Sequence, residues 1–206
     1  TLNKIGSIFW HNHAGNTVFP VHIATKLKIP LIIWGLHQGV DQVGMFSHED
    51  EVEMTRKYRK EHDLMGFEAE DLADSEDFPG EIKNDILKYF YPSDESISKI
   101  ALRGIYLSNY IRWDSKNQHE KMIKKYDYHT LRQTRTFNTY ENVSNLLYND
   151  IHDYIKMIKH GYSKVTDHVC QEIRLKRLSR QEGVFIINHY QKIDIRYKKL
   201  FLEWLG

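Results

Sequence analysis

Ile29-Pro-Leu-Ile-Ile-Trp-Gly-Leu-His-Gln-Gly-Val-Asp-Gln-Val-Gly44 changes character halfway. Ile29, Leu31, Ile32, Ile33 and Trp34 are apolar without alternation, which reads as a strand covered on both faces, as in a parallel sheet. The run then breaks at Gly35 into a loop carrying His37, Gln38, Asp41 and Gln42 among glycines. In open α/β sheets, ligands sit outside the carboxyl ends of the strands, which is where this loop falls. His37 and Asp41 can orient a substrate or move a proton there. They can equally cap the turn and the helix after it, and the residues alone leave both readings open.

Around this stretch the chain alternates helix and strand. Residues 17–28 read as a helix with Pro20 in its first turn, where the missing N–H costs little. Ser47 reads as the N-cap of a helix with acidic residues at its start and Arg56, Lys57, Arg59 and Lys60 in its last turn, stopped at Gly66. Residues 67–78 read as loop or short helix, and Pro79 opens a helix to about Tyr91. A second strand is expected over residues 101–108 and a helix from Ser115 to Tyr126. The last third is helical, ending in a docking stripe of Leu200, Phe201, Trp204 and Leu205. Within 145–160, Leu147, Ile151, Tyr154, Ile155 and Ile158 form an apolar stripe. The opposite face, with Asn149, His152, Asp153, Lys156 and His160, has a solvated surface as its plain reading. Ser179-Arg-Gln-Glu182 has the spacing of a capping box. The class is α/β, with residues 1–130 as the α/β part and 131–206 as a helical region. Two strands alone make a poor sheet, so further strands are expected in loop-like segments or outside this chain.

The composition narrows the function. The 206 residues carry 29 basic and 28 acidic side chains, a net charge of +1 that argues against a nucleic-acid partner. No apolar run reaches the length needed to span a bilayer, and the N-terminus does not read as a signal peptide, so no membrane partner is expected. A single cysteine, Cys170, excludes an internal disulfide and suits the cytoplasm. It reads as an inert core thiol. His11 and His13 would share a face if extended, as a metal pair or the edge of a polar pocket. With no third ligand near in sequence, no metal site is assigned.

Three further groups have candidate binding roles. Arg112 and Asp114 follow the second strand and either pair together or bind substrate, Arg112 suiting a carboxylate or diphosphate. Gln118 and His119 sit on the first turn of the next helix, whose N-terminus favours anions. His152, Asp153, Lys156, Asp167, His168 and Arg174 form a polar series in the C-terminal helices.

The segment IPLIIWGLHQGVDQVGMFSHEDEVEMTRKYRKEHDLMGFEAEDL resembles the N-acetyl sugar amidotransferase family of surface-polysaccharide biosynthesis. The resemblance continues in GIYLSNYIRWDSKNQHEKMIKKY, RTFNTYENV and NDIHDYIKMIKHGYSKVTDHVCQEIRLKRLSRQEG. It implies a PP-loop ATP-pyrophosphatase fold, with ATP and Mg activating an acetamido oxygen of a nucleotide-linked sugar and ammonia displacing AMP to leave an acetamidino group. It also implies a glutaminase subunit as the ammonia source. His37 and Asp41 would be catalytic; Trp34, Gly35, Gln38, Arg112, Asp114, Gln118, His119, His152, Asp153, Lys156, Asp167, His168 and Arg174 would bind substrate. The family's phosphate loop, Ser-Gly-Gly-x-Asp-Ser, does not occur here. The chain therefore reads as the C-terminal part of a longer enzyme, inactive alone, or as a non-catalytic domain binding a nucleotide sugar or glutaminase.

Overall fold

The computed structural model describes residues 1–39, 49, 51–74, 84–140 and 148–206. It is mixed α/β, mostly helical, with a two-stranded parallel sheet. The chain divides into two compact units, Thr1–Trp113 and Asp114–Gly206. The division lies N-terminal to the boundary expected near residue 130.

In the first unit, α1 (Leu2–Ile5) leads into α2 (Trp10–Leu27). This helix starts seven residues before the expected position, and Pro20 lies inside it. The reason is a buried stripe of Trp10, Ala14, Thr17, Val18, Val21 and Ala24, whose helical spacing outweighs one proline. His11 and His13 are therefore helical, and their i,i+2 spacing sends them to different faces. Trp10 anchors a core of Ile5, Ala14, Leu64, Ala69, Leu72 and Ile86. Its indole N–H donates to the Phe67 carbonyl at 3.0 Å.

Strand β1 (Leu31–Trp34) pairs in parallel with β2 (Arg103–Tyr106), Leu31 opposite Arg103 and Trp34 opposite Tyr106. The expectation of a strand covered on both faces is corrected. Leu31 and Ile33 are 43% and 58% exposed, and they alternate with half-buried Ile32 and Trp34. An apolar run reports which residues tolerate burial, while coverage depends on what the fold lays over each face. On β2, the Met54 N–H donates to the Gly104 carbonyl at 2.8 Å. A Cβ at Gly104 would stand 2.8 Å from the Met54 side chain, so this close approach requires glycine.

The helix expected from Ser47 is also corrected. Ser47 lies outside the described residues, and Glu53 makes an antiparallel bridge with Ile105. The first helical residue after it is Arg56, in α3 (Arg56–Tyr58), capped by the Thr55 hydroxyl accepting the Tyr58 N–H at 3.1 Å. A π-helical turn, Arg59–Asp63, continues it. Met65 and Gly66, both at positive φ, end it as expected. The short helix α4 (Ala69–Ala73) falls within the 67–78 segment. Pro79 lies outside the described residues, and a 3-10 turn at Leu87–Tyr89 precedes α5 (Asp94–Lys99).

The second unit holds α6 (Ser115–Tyr126), α7 (Asn149–His160), α8 (Lys164–Arg174), α9 (Arg180–Gln191) and α10 (Lys198–Leu205). The capping box forms as read: Ser179 and Glu182 bond each other's backbone N–H. Helices α8 and α9 approach so closely that a Cβ at Gly183 would meet Val169 at 2.6 Å. Three expectations fail in this unit. Asn149 and Asp153 on α7 are buried rather than solvated, as is neighbouring Asp150, because basic and amide partners meet them from other segments. Cys170 is exposed on α8. Only Phe201 of the final stripe is buried, with Leu200, Trp204 and Leu205 exposed. Among the described residues, no helix is long and apolar enough to cross a membrane.

Candidate functional site at the carboxyl ends of the strands

The parallel pairing of β1 and β2 brings the segments after Trp34 and Tyr106 to one end of the sheet. Gln38 is the knot between them. It is 1% exposed, and its backbone N–H donates to the Ser108 hydroxyl at 3.4 Å. Its amide NH2 donates to the Glu51 carbonyl at 2.6 Å, and its amide oxygen accepts from the Asn109 amide at 3.1 Å. The Tyr58 hydroxyl donates to the Gln38 carbonyl at 2.8 Å. Both ends of the side chain are used, so Gln38 positions this loop. Asn109 also donates to the Val52 carbonyl at 2.8 Å, which ties the connection before α3 to the same point.

His37 is half-buried beside this knot, and its Nδ1 accepts the Gly39 N–H at 3.2 Å. That bond assigns the proton of the neutral ring to Nε2, making Nε2 a donor. Gly35 is exposed, with open space where a Cβ would be. The Trp34 indole N–H donates to the Met54 sulfur at 3.2 Å. Asp41 lies outside the described residues. Arg112 is exposed.

Behind the knot lies a charged, aromatic cluster that the sequence reading did not assign. Arg59 is 1% exposed, its guanidinium 3.9 Å from the centre of the Tyr91 ring. Its Nη2 donates to Glu68 at 2.9 Å, while Nε and Nη1 meet no acceptor. Glu68 also takes both donors of Arg56, at 2.8 and 3.0 Å. Burial pushes the Arg59 pKa down, with Tyr91 and Glu68 opposing. Burial, reinforced by Asp63, drives the Tyr106 hydroxyl far above its ordinary range, so it stays protonated. The π-turn carries Arg59 and Asp63 into this cluster, a distortion frequent at functional sites. Arg56 and Arg59 read in sequence as last-turn charges. The usable signal was their i,i+3 spacing followed by Glu68, which a charge-pattern reading discards as loop.

The other expected residues belong to the second unit. Asp114 caps α6 by accepting the Asn117 N–H at 3.3 Å and pairs with Arg177 at 2.7 Å, not with Arg112. Gln118 and His119 are half-buried on α6, where the His119 Nδ1 donates to the Ser115 carbonyl at 2.7 Å. Asp153 accepts from Arg135 at 2.9 Å and from the Lys164 N–H at 2.6 Å. Lys156 pairs with Asp167. The His168 Nδ1 lies 2.6 Å from the Thr136 hydroxyl. His152 is half-buried on α7, and Arg174 is exposed at the end of α8. The polar series thus includes an interior network in this unit, and it extends to Asp150 with Arg196 at 2.9 Å.

The architecture defines a protein with a parallel-strand end in one unit and a helical second unit built on buried ion pairs. Residues 134–206 match the family model described as LPS biosynthesis protein WbpG-like, C-terminal domain. Its C-terminal region is thus similar to a lipopolysaccharide-biosynthesis family. No curated protein matches the chain.

Proposed function

We propose that the chain serves lipopolysaccharide biosynthesis as part of an ATP-dependent amidotransferase acting on a nucleotide-linked acetamido sugar. The observation that carries this reading is the Gln38–Asn109 knot at the carboxyl ends of two parallel strands, in a chain whose C-terminal region matches that family's model. The reaction is a PP-loop-type activation. The acetamido oxygen attacks the α-phosphorus of ATP and pyrophosphate leaves. Ammonia adds to the imidate carbon, AMP departs with the oxygen, and a proton is lost. Catalysis of this kind rests on positioning and on charge stabilisation. His37, with Asp41, orients the acetamido group or the ammonia, and Arg112 holds an anionic part of the substrate. Mg accompanies the ATP, and a glutaminase subunit supplies the ammonia in the cytoplasm.

One sequence fact favours a second reading, nucleotide-sugar or glutaminase binding without ATP turnover. Ser-Gly-Gly-x-Asp-Ser does not occur in residues 1–206. One assay separates the two. The protein is given ATP, Mg, ammonia and acetamido nucleotide sugars, with AMP and sugar product followed together. AMP formed in step with an acetamidino product supports the first reading. Saturable nucleotide-sugar or glutaminase binding without AMP supports the second. Neither turnover nor binding overturns both.

A further inference from the structure

The chain as a whole is nearly neutral, yet α6 carries Lys116, Lys121, Lys124 and Lys125 against the single acid Glu120. No residue of this helix is buried. An isolated helix of this length is marginal in water, and helices in proteins normally gain stability by burying one face. Here Met122, Ile123 and Tyr126 follow His119 at the i+3, i+4 and i+7 positions of one stripe. Met122 and Tyr126 are 44% and 62% exposed. Lys121 and Lys124 fall on the opposite face, and Lys125 lies beside the stripe, its ammonium 4.9 Å from the Tyr126 ring centre. The Tyr128 ring sits 5.5 Å from that of His119, which widens the apolar surface beyond a single helical ridge. Exposed Leu131 and Arg132 follow.

We propose that α6 is an interfacial helix that docks the protein on an anionic bilayer surface. Its cations meet lipid phosphates, and Met122, Ile123 and Tyr126 enter the headgroup boundary. Two features choose this occupant. Four lysines against one acid give this exposed helix a positive surface, which suits a negative partner. The apolar surface is broad and edged by tyrosines, whose rings suit a boundary that is apolar on one side and wet on the other. This is contact with a surface, which the lack of a bilayer-spanning helix does not bear on.

The test is co-sedimentation of the full chain with phosphatidylcholine vesicles, with and without phosphatidylglycerol. Binding is expected only with phosphatidylglycerol, and it should weaken as salt rises. Lys121→Glu with Lys125→Glu should lower the partition coefficient by at least about fivefold per lysine. Lys26→Glu with Lys57→Glu, equal in charge but in the other unit, should leave binding near wild type. Met122→Asn with Ile123→Asn keeps the charge and should also weaken binding, because it removes insertion. These positions are at least partly exposed, and circular dichroism checks that each variant is folded. No binding to anionic vesicles overturns the proposal, as does equal loss in the two charge-reversal pairs. Vesicle binding that ignores Met122→Asn and Ile123→Asn while heparin binds equally well would mark a general polyanion surface and overturn it too.

Discussion

Replacing Arg135 by alanine is expected to destabilise the Asp114–Gly206 unit by about 3–5 kcal/mol, the cost of stranding one member of a buried ion pair. The Arg135 and Asp153 side chains are 5% and 1% exposed and meet at 2.9 Å. Without Arg135, the Asp153 carboxylate keeps the Lys164 N–H but loses its guanidinium partner. The Ile193 carbonyl loses a donor at the same time. Urea unfolding followed by circular dichroism measures the change. Lys199→Ala is the contrast, because Lys199 and Glu203 are both largely exposed. Such a pair is worth at most about 1 kcal/mol. Equal midpoints for the two variants would mean that the interior network carries no stability.

Glu68→Gln is expected to cost a similar amount, about 3–5 kcal/mol, in the first unit. The substitution keeps shape and removes charge. It leaves the Arg59 guanidinium buried without the carboxylate it donates to, although Asp63 still contributes a favourable field. Arg56→Ala removes another partner of Glu68, but the Arg56 side chain is 38% exposed, so its loss should cost far less. Thermal unfolding of the two variants ranks them. A larger loss from Arg56→Ala would mean that the cluster is organised around its exposed edge.

The sequence revealed the two strands, their parallel pairing and the loop after β1, because apolar runs and glycine breaks are local signals. The Ser179–Glu182 capping box and the Ser115–Tyr126 span of α6 were legible for the same reason. Coverage was not legible. Leu31 and Ile33 are as apolar as core residues, and nothing in their own sequence states that one face stays open. Trp10 shows how burial at helical spacing extends a helix ahead of Pro20, which a reading that puts the proline in the first turn starts too late. Asn149 and Asp153 were placed on a solvated face because their partners, Gln133 and Arg135, are 16 and 18 residues away. Gln38 was read as a substrate contact, and its bonds to Glu51, Ser108 and Asn109 depend on pairings between distant segments. Arg59 and Glu68 were missed because the π-turn that carries Arg59 inward has no simple periodic signature.

The most direct measurement is turnover together with unfolding midpoint for His37→Ala in the full enzyme reaction. His37 is half-buried on a loop pinned by Gln38 and carries little core packing itself. A strand-end active site predicts an unchanged midpoint and a drop in turnover of at least about a hundredfold, the usual scale for a general acid–base group. A lowered midpoint with unchanged turnover per folded molecule would contradict it and make His37 a structural cap.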